Sequence, residues 1–543
     1  MTKNVGRKII YTPYKEITSE NIIPILQKAF DVFKGNADDC QYLIDYENGE
    51  QPLQRKESKK VMTWVDFECV DGIPTEVTDF WVGFGWGNPI TLVQRGDSKN
   101  ETASDGIAEL NANYALTGNA RDLQTLAHYI EICGIAYTLV DINNEWQSEE
   151  DSYFTRDVLD PRCAFVVRSS YYSDHRIMIG VTFRMDDDET IFITAYTKDY
   201  RYELKARKKN EQELAYNKTE STNKYITNYD WSELEESGEP NYLKRVPVVE
   251  WIRAVDRTGV FEKQIPAIDN LNLVLSDISN GIDQGIQSFF WTNDVELEQI
   301  EVTNEDGSKE LITQKPGPGD WLHTYTGQNG TQPKIQPLTL DYHIDEMRNN
   351  YLSQRALILQ KCHVPQRNDN SGGSTGLAMD SAAGWSDAEN IASAQECITV
   401  ECQMDEIAVV LAAIRESTDV PNDSPMRTLK KSDIEPCVRR PKTYDLATRV
   451  NSFAAILSKG GSLEDALAVA PIAPDPAQFI SRSGEGIRKY QEANVWNTGE
   501  TDTANVGETE EKRPFADNSD QTSNSPLLDG LQTGQTEEVE ETE

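Results

Sequence analysis

Apolar residues recur at Ile265, Ile268, Leu271, Leu275, Ile278, Ile282, Ile286 and Phe289, at spacings of three and four. Such spacing places them in one stripe on an α-helix and predicts a rod over residues 265–291. The other faces carry Asp269, Ser276, Asp277, Asn280, Asp283, Gln284 and Gln287. A rod of that length spans about 40 Å. It is too polar for a membrane span, which needs roughly 20 mostly apolar residues in a row. A second helical pattern covers residues 340–363, with Tyr342, Met347, Tyr351, Leu352, Ile358 and Leu359 as its stripe. Between the rods, residues 295–302 alternate apolar and polar as a half-buried strand does. Asn304–Gly307 is a turn signal, and Lys309–Thr313 reads as the returning strand of a hairpin. The centre of the chain is therefore predicted as helix, small β unit, helix.

The flanking regions read differently. Ser19 is a predicted N-cap, with the regular helix starting at Pro24 and ending at Gly35, and a further short helix follows from Cys40. Gly83, Gly85 and Gly87 do not have the spacing of a nucleotide-binding loop and read as a tight connection. Residues 101–142 give helix, helix and strand, with Gly134 as the break before the strand. Strands are then predicted around 163–170, 176–185, 190–197 and 200–208, making an α+β region with a mainly antiparallel sheet. Asp186, Asp187 and Asp188 read as a turn rather than a metal site, and the basic run Lys205–Asn210 as a solvated hairpin end. Residues 246–254 form a buried strand, and a third long helix covers 386–415. A helical pair follows, split by Gly460 and Gly461, and the polar tail from residue 497 reads as disordered.

Composition narrows the function. The chain has 543 residues and a formal net charge of −39. So acidic a chain does not grip phosphate backbones over its bulk surface. Its eight cysteines lack metal-ligand spacing and read as reduced thiols. Residues 1–14 are polar and lack the apolar core of a signal peptide, which points to a reducing cytosol. No Walker A, no H-E-x-x-H and no nucleophile–base set occurs, and His128, His175, His323, His343 and His363 are scattered. These observations point away from an enzyme and give no reason for a metal or cofactor.

Six stretches, taken in order, carry a resemblance: FWVGFGWGNPI, HYIEICGIAYTLVDI, LDPRCAFVV, IDNLNLVLSDISNGID, STGLAM and EDALAVAPIAPDPAQ. Over about residues 20–495 the chain resembles the portal proteins of tailed bacteriophages, of the siphophage SPP1 type. The resemblance implies a ring, usually of twelve copies, at one capsid vertex, through which double-stranded DNA is packaged and ejected. It implies an α+β wing over residues 1–264, stem helices over 265–291 and 339–363, and a clip over 292–338. It further implies a tunnel loop over 364–380, a long wing helix and return strand over 381–440, and a helical crown over 441–496. The acidic tail, 497–543, lies outside the likeness.

The same resemblance names candidate sites. A channel wall must let DNA slide, and carboxylates repel phosphates while mobile cations screen the gap. Some of Asp269, Asp277 and Asp283 are then expected to line the lumen, against the alternatives of intersubunit hydrogen bonding or outer solvation. Arg367, Asn368, Asp369, Asn370, Ser371, Gly372 and Gly373 would form the tunnel loop, with Arg367 reaching a phosphate. Glu298, Glu301 and Trp321 of the clip would dock terminase or an adaptor. The implied partners are further copies of the chain, DNA, the terminase large subunit, the major capsid protein, a scaffold and a head–tail adaptor. No membrane is implied; the setting is the virion, after assembly in the host cytoplasm. The alternative reading is a non-portal structural adaptor or assembly scaffold whose acidic tail binds a basic partner.

Overall fold

The computed structural model describes most of residues 5–489. Outside the described residues lie 53–66, 96–100, 172–175, 186–189, 209–228, 234–237, 287–288, 294–298, 304–308, 314–333, 339–342, 367–383, 441–445, positions 149 and 439, several positions between 464 and 481, and everything from 490. The chain divides into two units, 1–482 and 483–543, and of the second only a helical run at 483–489 is described.

Helix α1, Ser19–Glu47, is one continuous helix of 29 residues. The expected start at Pro24 and stop at Gly35 are corrected. Thr18 is the N-cap, and Pro24 sits early enough to forfeit only one intrahelical bond. Gly35 is carried through because Phe33, Asn36, Cys40 and Leu43 around it are all buried. Burial of that face outweighs about 1 kcal/mol of glycine propensity. Phe30 and Phe33 press against Phe165, at centroid distances of 5.1 and 4.7 Å, and against Phe183.

Phe165 and Phe183 belong to a seven-stranded sheet. Its members are β1 (Ile10–Thr12), β5 (Ala164–Ser169), β6 (Ile177–Met185), β7 (Ile191–Tyr196), β8 (Tyr200–Lys208), β9 (Tyr229–Glu233) and β10 (Glu239–Pro240). The order is β1-β5-β6-β7-β8-β10, with β9 also paired to β8. All neighbours are antiparallel except β1 and β5. A second sheet, β11-β3-β4, contains β3 (Ile135–Ile142), β4 (Phe154–Leu159) and β11 (Val248–Ile252). Gly180 of β6 faces β11: a Cβ there would lie 2.5 Å from that of Val248. Only glycine admits so close an approach of the two sheets.

Four more helices complete the body: α2 (Ile73–Trp86), α3 (Glu101–Leu116), α4 (Asn119–Cys133) and, later in the chain, a helix of 32 residues at Trp385–Glu416. Gly83 and Gly85 lie inside α2 rather than in a loop beyond it. Gly134 ends α4 with φ +74°, and a Cβ there would meet the Arg257 carbonyl at 2.4 Å. A short strand β2 (Thr91–Gln94) pairs with the late strand β16 (Ile434–Cys437), tying the end of this unit to its beginning.

The two central helices are α5 (Ile265–Ile286) and α6 (Ile344–Lys361). α5 is shorter than expected. Phe289 is not the last residue of the helical stripe but the first of β12 (Phe289–Asn293), which pairs with β15 (Lys334–Leu338). A Phe-Phe-Trp-Thr run favours a pleated strand once a partner is present. Between them, β13 (Gln299–Thr303) and β14 (Lys309–Thr313) form the expected hairpin. The long late helix is α7, and Leu446–Ser458 is α8.

Candidate functional site: the paired central helices

Helix α5 begins at a knuckle of buried charge. Glu262, just before it, pairs with Arg7 and accepts backbone N–H bonds from Gly6 at 3.0 Å and Gly259 at 2.9 Å. Glu250 of β11 takes Arg168 at 2.6 Å and Arg257 at 2.8 Å. Glu131 of α4 takes Arg253 at 2.8 Å. Three carboxylates thus fix the turn from β11 into α5 in one geometry, because losing any partner strands a buried charge.

The apolar stripe of α5 is fully buried only near the start of the helix. Ile268 and Leu271 are fully buried in the body, and Ile282, near the far end, is exposed. The polar face has an unexpected role. Asn272, Ser276 and Asn280 stand one turn apart and hold the backbone of Phe67–Asp71, which runs antiparallel to the helix. Asp71 N donates to Asn272 Oδ1 at 2.9 Å, Cys69 N to Ser276 Oγ at 3.0 Å, and Phe67 N to Asn280 Oδ1 at 2.8 Å. Asn280 Nδ2 donates back to the Phe67 carbonyl at 3.3 Å, and the one Ser276 hydroxyl proton is shared between the Asn272 carbonyl at 2.8 Å and the Cys69 carbonyl at 3.3 Å. The match is geometric: four helical residues rise about 6 Å, and two residues of extended chain span about 6.6 Å. All three side chains both donate and accept, so each serves an N–H of the docked segment, two of them a carbonyl as well.

α6 packs beside α5, with Asn270 Nδ2 donating to Gln354 Oε1 at 3.1 Å. Tyr351 and Arg355 of α6 both reach Asp71, and Arg355 also pairs with Glu76 of α2. Burial and the bond to Asp71 push the Tyr351 hydroxyl up to about 12. Trp81 Nε1 donates to the Cys362 carbonyl at 3.0 Å, pinning the end of α6 to α2. Between these anchors, Leu352 and Leu357 are exposed.

The sequence-derived candidates separate at this point. Asp269 is half-buried and accepts a 2.7 Å hydrogen bond from Tyr46 of α1, and burial raises its carboxyl above the usual range. Asp277 is exposed on α5, and Asp283 lies in the last turns of the same helix. Glu301 is on β13, whereas Glu298 and Trp321 lie outside the described residues. So do Arg367, Asn368, Asp369, Asn370, Ser371, Gly372 and Gly373. The docked segment at Phe67–Asp71 was not anticipated. Its signal was present as Asn272, Ser276 and Asn280 at spacing four.

Among the described residues, no helix is long and apolar enough to cross a membrane. A search of curated proteins finds no match. The family profile described as Phage portal protein, SPP1 Gp6-like, matches residues 20–423, which is most of the chain and contains α5, α6 and α7. The chain therefore belongs to the SPP1 Gp6-like phage portal protein family, structural and non-enzymatic proteins of the capsid that act in DNA packaging.

Proposed function

We propose that this portal protein assembles as a ring, with twelve copies, around a channel for double-stranded DNA at one vertex of the capsid. The family match carries this reading. In it α5 and α6 are the stem, residues 292–338 the clip, and residues 1–264 the wing. Residues 364–380 form the tunnel loop and residues 441–496 the crown. The long pair α5 and α6 supports the assignment: both are anchored at the body, and Ile282, Leu352 and Leu357 present apolar surface for neighbouring copies.

Within this reading Asp277 and Asp283 are the stem carboxylates that line the channel, with Asp269 held by Tyr46 inside its own subunit. Lining carboxylates repel DNA phosphates and keep the passage free of tight binding. Arg367 and the polar loop after it touch the duplex without reading its sequence. Glu298, Glu301 and Trp321 form the docking tip for the terminase large subunit and then for a head–tail adaptor, and the wing meets the major capsid protein and scaffold. Assembly takes place in the host cytoplasm.

Genetic depletion tests the role. A phage lacking a functional copy of this chain should build capsids that contain no DNA, and supplying the chain in trans should restore filled heads. Filled, infectious particles made without it contradict the proposal.

A further inference from the structure

A cleft of ≈ 1060 Å³ opens between residues 15–18, the seven-stranded sheet, β11 and α7. Its floor includes Ile17, Met178, Val246, Val249 and Val409. Its mouth is basic. Arg168 and Lys431 also line it but are taken up by Glu250 and Asp405. Lys15, Lys198, Lys244 and Arg245 are exposed and have no ion pair among the described residues; the carboxylates beside them are Glu16 and Asp199. Tyrosines are exposed next to these cations. Tyr200 lines the cleft, Tyr242 precedes Lys244 by two residues, and Lys15 Nζ lies 5.3 Å from the Tyr171 ring centre.

On a chain of net charge −39 this surface is the inverse of the average. Copies of so acidic a chain repel one another in a ring unless cations of one copy face carboxylates of the next. A ring closes through a head-to-tail contact, in which one patch of a copy meets a different patch of the next. The cleft offers such a contact an apolar floor with tyrosine and arginine beside it, and its lysines add a charge complementary to carboxylates. A duplex would use the cations but leave the apolar floor empty, and the chain's total charge repels DNA at range. A second copy brings a large excess of carboxylates, 91 Asp and Glu against 52 Lys and Arg.

We propose that this cleft is the receptor half of the contact between neighbouring copies and takes up a carboxylate-bearing edge of the next subunit. The proposal rests on the ring reading above and assigns its electrostatic lock. Lysine–carboxylate pairs formed across that contact hold against the repulsion between subunits, and salt weakens them.

The test uses the full chain, half of it labelled with nitrogen-15, mixed before assembly and treated with a carbodiimide that joins amines to carboxylates in contact. Peptides of hybrid isotope mass should join Lys15, Lys198 or Lys244 to a carboxylate of the other copy. Rings that give no such peptides overturn the proposal and leave the ring reading intact, whereas absence of any ring contradicts the ring reading itself. A triple variant, Lys198→Glu, Lys244→Glu and Arg245→Glu, should keep the wild-type circular dichroism spectrum while its ring fraction falls by about tenfold or more. Normal assembly of that variant overturns the proposal. So does wild-type capture of a short DNA duplex that the variant loses while still assembling, which would make the cleft a DNA surface.

Discussion

Helices α6 and α7 belong to the same unit and are used in opposite ways. Thirteen of the 32 residues of α7 are buried, against two of the 18 in α6. α7 runs over the β11-β3-β4 sheet, and the carboxylate on its buried face is paired inside the chain. Glu406, fully buried, takes Arg156 at 2.8 Å and the hydroxyls of Thr138 at 2.8 Å and Tyr114 at 3.3 Å. α6 is held from its middle onward, through Tyr351, Arg355, Ile358 and Leu359, and leaves Leu352 and Leu357 of the same stretch in solvent. An isolated helix of this length draws little stability from propensity alone. The difference separates what one copy completes from what, in the ring reading, its neighbours complete.

The largest effect is expected at Glu406. Glu406→Ala leaves the Arg156 guanidinium buried without its carboxylate, and stability should fall by about 3–5 kcal/mol in denaturant unfolding of the single chain. A loss below about 1 kcal/mol would mean that α7 is not the closed side of the pair.

A matched truncation of two leucines sharpens the contrast between the two helices. Leu411→Ala in α7 should remove about 2–5 kcal/mol. Leu352→Ala in α6 should leave the single chain within about 0.5 kcal/mol of wild type while weakening ring assembly, read by native mass spectrometry. Equal losses from the two substitutions in the single chain would erase the distinction.

At the attachment of α6, Tyr351→Phe removes the hydroxyl bonded to Asp71 and should lower stability by about 1 kcal/mol. Faster hydrogen exchange should then appear at the amides of Phe67–Asp71, whose last residue shares that carboxylate. Unchanged exchange there would mean that α6 does not support the docked segment.

The smallest effect concerns Asp269. Its carboxyl is raised by burial, against the lowering influence of the Tyr46 hydroxyl. A raised carboxyl binds its proton more tightly in the fold, so its stabilising contribution is present below the ordinary aspartate pKa and is lost as pH rises through the raised value. Asp269→Asn should therefore match wild type in acid and become the more stable form toward neutrality, by less than about 1 kcal/mol after solvent screening. A variant less stable than wild type at pH 7 would show that the charged form is favoured.

What the sequence disclosed follows from the range of its signals. Helical periodicity placed α5, α6 and α7 to within a few residues, because a buried stripe leaves a local pattern. Strands β3, β5, β6, β7 and β8 were legible as apolar runs between turn residues. β4, Phe154–Leu159, was missed: Arg156 and Asp157 interrupt its apolar run, and Arg156 is buried only because Glu406 lies 250 positions away. The continuity of α1 through Pro24 and Gly35 was hidden for the same reason, since it depends on Phe165 and Phe183 of a distant sheet. At the central helices, Asp269 reads as one more solvent-facing carboxylate until Tyr46 is seen beside it. The ladder of Asn272, Ser276 and Asn280 was visible as spacing, but its partner, Phe67–Asp71, has no pattern that points to a helix 200 residues on.

The measurement that bears most directly on the whole account is the copy number of the purified protein, by native mass spectrometry with electron-microscope imaging of the same sample. Closed rings of about twelve copies with a central opening, in which α5 and α6 surround the channel, are the expected result. A compact dimer or trimer with no opening would contradict it and favour an adaptor or scaffold that uses these helices for a different contact.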